Sequence, residues 1–355
     1  FIQRGNKTEV NTFPNEPFKS YFSGNTVQIC PVGALTSTSY RFKARPWDLK
    51  STRSTCNGCP TGCSIELNSS QNKMLRILGV DNDAVNQGWM CDKGRYNFEY
   101  LNSDSRLKTP LKMMEDELVE IEIQDVYSEL TEFIKNRQTK VNFLLGSNLT
   151  NEDYVAFREF SKTISQSESS FYLNDDLLYK GFFGDNIELA KIDDLNSSDA
   201  IVVWAEDLKE KLPVLYLRIR QAVKNGVKLV VFGHTNETLS DIADVFYGKD
   251  MVSENFEILK DLSKMKEINN LVVGKNITAI LGKSTPYQAD ESITKLFEFL
   301  NSNANSKVLN AYSKGNTYGA FQTLENLKGL NDFVNDISKD NTCLLYTSDA
   351  ADEVV

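Results

Sequence analysis

Cys56-Asn57-Gly58-Cys59-Pro60-Thr61-Gly62-Cys63, answered by Cys91 further along, is the stretch on which the reading of this chain turns. The spacing is C-x2-C-x3-C-x27-C. Four thiolates can hold a zinc ion or a [4Fe–4S] cluster. Zinc ribbons usually pair two C-x2-C knuckles. Here three cysteines share one loop and the fourth comes alone, as when a loop wraps three corners of a cubane. Gly58 and Gly62 let such a loop pass close to an inorganic core and aim N–H groups at its sulfurs. Disulfides would need an oxidising compartment, for which no export signal argues. The cluster is the favoured reading; zinc and disulfides stay open.

The flanks suit a small β-rich module. Ser64–Asn68 and Met74–Leu78 alternate polar and apolar residues around Ser69-Ser70-Gln71-Asn72, which predicts a β-hairpin. Trp89 and Met90, just before Cys91, serve either to shield a cluster from water or as plain core. A further cysteine, Cys30, precedes Pro31, as the last ligand of many ferredoxin-type motifs precedes a proline. Its alternative is a buried thiol.

The remaining composition narrows the classes. The 355 residues are 41% hydrophobic and 25% charged, a globular composition. At roughly 150 residues per domain, about two domains are expected. Apolar runs such as Ile201–Ala205 are far too short to span a membrane. The chain has one histidine, His234, which leaves histidine-based catalysis dependent on a single residue. The net charge of −10 disfavours general nucleic-acid binding. That charge is uneven. Residues 1–110 hold 14 basic and 9 acidic side chains; the rest hold 25 and 40. No leader peptide opens the chain, so no secretory signal is expected. Phe1 rather than Met opens it, so the natural N-terminus is expected upstream.

Beyond residue 112 the chain alternates strand-like and helix-like stretches. Val141–Leu145, Ile201–Trp204, Lys228–Phe232 and Ile277–Leu281 read as buried parallel strands. Leu215, Ile219, Ala222 and Val223 mark one helix, with Pro213 suited to its first turn and Gly226 to its end. Ile293, Leu296, Phe297 and Leu300 mark another. Such alternation predicts a doubly wound α/β domain. The strand ends Leu145-Gly146-Ser147-Asn148 and Phe232-Gly233-His234-Thr235 read as ordinary strand-to-helix turns, not phosphate loops. Arg41, Lys43 and Arg45 alternate with Phe42 and Ala44 as an extended segment would, either offsetting cluster charge or blunting a strand edge. Glu115–Glu122 reads as a solvated face or turn.

Ser23-Gly24-Asn25, Gln28–Thr36, Tyr40–Trp47, the four-cysteine set, Cys91–Arg95, Tyr100–Ser103 and Arg106–Leu111 together resemble the large iron–sulfur subunit of bacterial NADH–quinone oxidoreductase, respiratory complex I. The resemblance is strong over about residues 10–112 and looser beyond, where it rests on Gly146–Glu152, Leu217–Arg220 and Lys314–Ala320. It implies a small [4Fe–4S]-binding β-rich module followed by a molybdopterin-oxidoreductase-like doubly wound α/β domain. Cys56, Cys59, Cys63 and Cys91 would ligate an extra [4Fe–4S] cluster, found in only some bacterial members and taken to lie off the main electron path. Cys30 would be one ligand of a second cluster, the other three preceding Phe1. The implied domains are 1–46, the end of a ferredoxin-like iron–sulfur domain plus linker; 47–107, the cluster domain; and 108–342, the α/β domain. Residues 343–355, with Cys343, read like translated adapter sequence and are expected to be non-native.

The resemblance further implies that this chain passes electrons from NADH towards quinone and has no catalytic residues of its own. Its partners would be other peripheral-arm subunits on the cytoplasmic side of the bacterial inner membrane, with no nucleic acid and no direct membrane span. In molybdopterin enzymes, a lysine after the fourth cysteine bridges cluster and pterin, and Lys93 stands there. No cysteine lies between Cys91 and Cys343 to hold molybdenum, and no molybdopterin is expected. Lys93 is therefore read as a salt-bridge or cluster-screening residue. The alternatives are a catalytic molybdopterin-dependent oxidoreductase, such as a formate dehydrogenase, and a zinc-stabilised scaffold.

Overall fold

The computed structural model describes residues 3–9, 12, 18–136, 141–164, 169–173, 188–205, 207–232, 234–247, 262–282 and 305–339. The chain forms two units, Phe1–Cys56 with Cys63–Asn102, and Asn57–Gly62 with Ser103–Val355.

The first unit holds α1 (Ser23–Ile29), β1 (Lys50–Thr55), β2 (Ser64–Ser70), β3 (Lys73–Gly79) and α2 (Asp92–Tyr96). Its strands form an antiparallel sheet in the order β1-β2-β3. The predicted hairpin is β2–β3. Its turn residues Gln71 and Asn72 take φ of 50° and 60°, the left-handed pair whose twist suits a tight hairpin. Strand β1 is exposed along its whole length and has no apolar alternation, so periodicity does not announce it. It is nevertheless what frames the cysteine loop. Thr55 pairs with Ser64, and the Cys56 N–H donates to the Cys63 carbonyl at 2.9 Å. The apolar core here is small: Ile65, Ile77, Met90 and Phe98.

The Arg41–Arg45 stretch is not extended. It turns, with Phe42 at φ 63°, and Arg41 lies over the Phe42 ring at 4.7 Å. Alternation over five residues misleads when one of them takes a left-handed conformation.

The second unit opens with an exposed hairpin, β4 (Leu111–Met114) and β5 (Glu117–Glu120), turning at Glu115 as the acidic run suggested. Then come α3 (Ile123–Asn136), β6 (Asn142–Leu145), α4 (Asn151–Ile164), β7 (Ser170–Leu173) and β8 (Glu188–Leu189). After these follow β9 (Ala200–Trp204), α5 (Leu208–Lys211), α6 (Pro213–Lys224), β10 (Lys228–Phe232), β11 (Val245–Tyr247) and α7 (Leu262–Val272). The last are β12 (Ile277–Gly282), β13 (Ser306–Ala311), α8 (Thr317–Thr323), β14 (Leu327–Lys328) and α9 (Leu330–Lys339).

A six-stranded parallel sheet runs β11-β10-β9-β12-β13-β8. Strand β9 is buried at every position, and its side chains alternate between two cores. Ala200, Val202 and Trp204 join Ile268 and Val272 of α7 on one face. Ile201 and Val203 join Leu215, Ile219 and Ala222 of α6 on the other. Helices on both faces make the doubly wound α/β architecture expected from the alternation. Pro213 starts α6, and Gly226, at φ 102°, follows its C-cap. A second sheet, β14-β7-β6, is also parallel. The predicted helix around Ile293–Leu300 and the tail 343–355 lie outside the described residues, as does the side chain of His234.

Candidate iron–sulfur site

The first unit brings Cys56 and Cys91 together around one glycine. A Cβ on Gly94 would lie 3.0 Å from Cys56 Sγ and 3.8 Å from Cys91 Sγ, so glycine lets the Cys56 sulfur close on this helix beside Cys91. Cys91 caps α2, and its sulfur accepts from the Gly94 N–H at 3.4 Å. Such an N–H contact to sulfur is a feature of cluster ligands. Cys63 and Cys91 are buried, Cys56 half-buried, and none of Cys30, Cys56, Cys59, Cys63 and Cys91 is in a disulfide.

In the second unit, Cys59 begins a turn closed by the Gly62 N–H donating to the Cys59 carbonyl at 3.3 Å. Gly62 takes φ 63°, the left-handed conformation that lets the loop double back. Cys59 packs against one of the two sheet cores. Thr61 is buried, and its hydroxyl has no hydrogen-bond partner. A buried orphan hydroxyl two residues after Cys59 suits an acceptor that the protein does not itself provide, such as a cluster sulfide or thiolate. Within the first unit, undisulfided thiols and a sulfur-facing N–H fit the ligands of a [4Fe–4S] cluster. Among the described residues no three Cys, His, Asp or Glu side chains gather tightly enough to hold a single metal ion.

Cys30 follows α1 as its C-cap. The backbone N–H groups of Leu35, foremost, and of Ala34, Val32 and Gly33 hold its thiol below the ordinary value, against an opposing effect of burial. A ring of backbone N–H groups is how proteins stabilise sulfur ligands. Pro31 and Gly33 provide the tight turn, with Gly33 at φ 65°.

Residues that spacing alone does not single out join Cys30's helix to Cys91's. Asn25 donates to the Met90 carbonyl at 2.7 Å and accepts from the Met90 N–H at 3.1 Å. Gln28 does the same with Gly79, at 2.7 and 3.0 Å. The Asp92 carboxylate accepts from the Ser23 hydroxyl and, at 2.8 Å, from the Gly24 N–H. Two side-chain amides thus act as short β-ladders. Each hydrogen bond contributes about 1 kcal/mol. The motifs Ser23-Gly24-Asn25 and Cys91–Arg95, 65 residues and more apart, are two halves of one contact. Met90 is core at 1% exposure, whereas Trp89 is exposed and meets the Phe22 ring edge-on at 6.0 Å. Lys93 is exposed.

This small cysteine-bearing module and doubly wound α/β unit define a class. Residues 106–326 match the molybdopterin oxidoreductase model, residues 49–103 the molybdopterin oxidoreductase Fe4S4 domain, and residues 1–36 the ferredoxin-like domain of NADH-quinone oxidoreductase subunit 3. The chain belongs to the molybdopterin oxidoreductase family, and its front module is of the [4Fe–4S] kind. Among particular proteins it is similar to the G subunit of the Streptomyces coelicolor NADH-quinone oxidoreductase, 41% identical over 45% of this chain and 19% of that protein. It is also similar to subunit 3 of the Thermus thermophilus enzyme, 34% identical over 63% of this chain and 28% of that one. A third relative is the alpha subunit of the NADPH-Fe(3+) oxidoreductase of Geobacter sulfurreducens, 28% identical over 65% of this chain and 28% of that protein. The chain thus spans less than a third of the length of each.

Proposed function

We propose that this chain is an electron-carrying part of an NADH–quinone oxidoreductase, moving electrons from NADH towards quinone with no substrate chemistry of its own. Cys56, Cys59, Cys63 and Cys91 hold one [4Fe–4S] cluster, and Cys30 is one ligand of a second. When bound, each cluster takes up and releases single electrons. The chain's own residues orient the thiolates, donate N–H groups to sulfur and keep α1 fixed on the module that carries Cys91. Its partners are the other peripheral-arm subunits, on the cytoplasmic side of the inner membrane. No described helix is long and apolar enough to cross a membrane.

The observation that carries this reading is the seating of the helix that ends at Cys30 on the module that carries Cys91, through the Asn25–Met90 and Gln28–Gly79 pairs. Cys30 and three of the four ligands of the other site, Cys56, Cys63 and Cys91, held in one unit, suit electron transfer between centres. The test is anaerobic purification followed by iron, sulfide, zinc and pterin analysis. About four irons and four sulfides per complete site are expected. Pterin would overturn the reading in favour of a catalytic oxidoreductase, and one zinc without iron in favour of a scaffold.

A further inference from the structure

Arg95 is almost wholly buried, at 4% exposure. Its guanidinium faces mostly neutral acceptors: Gln28 Oε1 at 2.7 Å, Asn25 Oδ1 at 2.9 Å and the Ile77 carbonyl at 3.4 Å. Its Nε has no hydrogen-bond partner. Asp92 Oδ1 stands 3.9 Å from that nitrogen, but the carboxylate is engaged by Ser23 and Gly24. Burial pushes the guanidinium below its ordinary value, and Asp92, Tyr96 and Cys91 pull it back. An arginine stays charged throughout the physiological range. Burying a cation against uncharged acceptors is costly unless an anion lies near. Arg95 sits one helical turn after Cys91, its N–H donating to the Cys91 carbonyl at 3.0 Å.

A cluster with four thiolates carries net negative charge, and each arriving electron adds to it. We propose that Arg95 is the charge-compensating, positioning residue of the Cys91 site, which eases reduction of the cluster held there and raises its potential. The inference rests on the cluster assignment above. A Cβ on Gly24 would come 2.3 Å from Arg95 Cδ, 2.4 Å from its Nε and 2.7 Å from Asp92 Oδ1, so Gly24 makes the space in which the arginine side chain lies.

The test uses the full chain, reconstituted anaerobically with ferrous iron and sulfide, and an EPR-monitored redox titration. Arg95→Gln should keep its iron and shift the midpoint to lower potential. Arg95→Lys, which keeps the charge, should lie nearer the wild type. An unmoved midpoint in Arg95→Gln overturns the inference. Should that variant fail to fold, Gly24→Ala displaces the guanidinium without removing it, and an unmoved midpoint there is equally fatal. The two readings fail differently. No cluster in the wild-type chain overturns the cluster assignment, whereas a cluster whose potential ignores Arg95 overturns only this inference.

Discussion

The two units are held together by different physics. In the second, the sheet strand β9 is buried at all five positions, and two apolar cores flank the sheet. Among the described residues of the first, four buried apolar side chains form the core, and buried asparagines do much of the joining. Asn86, with no exposed surface, donates to the carbonyls of Val80 and Trp89 and accepts from the Ser64 N–H. A core that small leaves a module of this size marginal, and such modules commonly draw folding energy from a bound metal centre. The contrast is therefore between a unit that folds on apolar burial and one that leans on hydrogen bonds and, in the function proposed above, on its cluster.

The largest expected effect tests the cofactor half. Cys59→Ser should remove more than half of the cluster iron, because three thiolates leave one iron corner unsupported. Hydrogen exchange should then speed up more in β2 and β3 than in β9, β10 and β12, although Cys59 itself packs on the sheet core. Unchanged iron would remove Cys59 from the ligand set. Equal loosening of both units would erase the contrast.

Next comes the apolar half. Trp204, at 1% exposure, stacks on Phe232 at 5.0 Å between centroids. Trp204→Ala should cost about 3–5 kcal/mol, read by chemical denaturation, and leave the cluster's EPR spectrum unchanged. A smaller loss follows from Asn25→Ala, which deletes both bonds to Met90 and an acceptor of Arg95. About 2–3 kcal/mol is expected, confined to the first unit. A loss spread evenly over both units would contradict the comparison.

These residues also mark how far the sequence can be read. Strands β9, β10 and β12 of the large sheet were legible because a strand buried on both faces is a continuous apolar run, as in Ile201–Trp204. Strand β13, Ser-Lys-Val-Leu-Asn-Ala, was not, since only Val308 and Ala311 are buried and its pattern has no clean period. Strand β1 carries no apolar signal at all and forms by pairing with β2. At the site, the cysteines were legible from spacing, whereas Asn25, Gln28 and Arg95 act through partners 51 to 70 residues away. Nothing local in the sequence reports such pairings. Gly24 and Gly94 belong with them: each is needed for a side chain brought from elsewhere in the chain or an adjoining turn.

The smallest effect sharpens the contrast most directly. Gln71 and Asn72 both take left-handed conformations in the β2–β3 turn, which favours Asn-Gly over Gln-Asn. Replacing Asn72 by Gly relieves the steric cost at φ 60° and should stabilise the hairpin by roughly 0.5–1 kcal/mol. For a unit of this size, that is a rise of a few degrees in melting temperature. Calorimetry on the iron-loaded chain gives the reading. If the units unfold separately, only the transition that also bleaches the cluster's visible absorbance should move, and the other should stay. A single transition that moves as a whole would mean that the units share one cooperative fold, and that the hydrogen-bonded module draws on the apolar sheet for its stability.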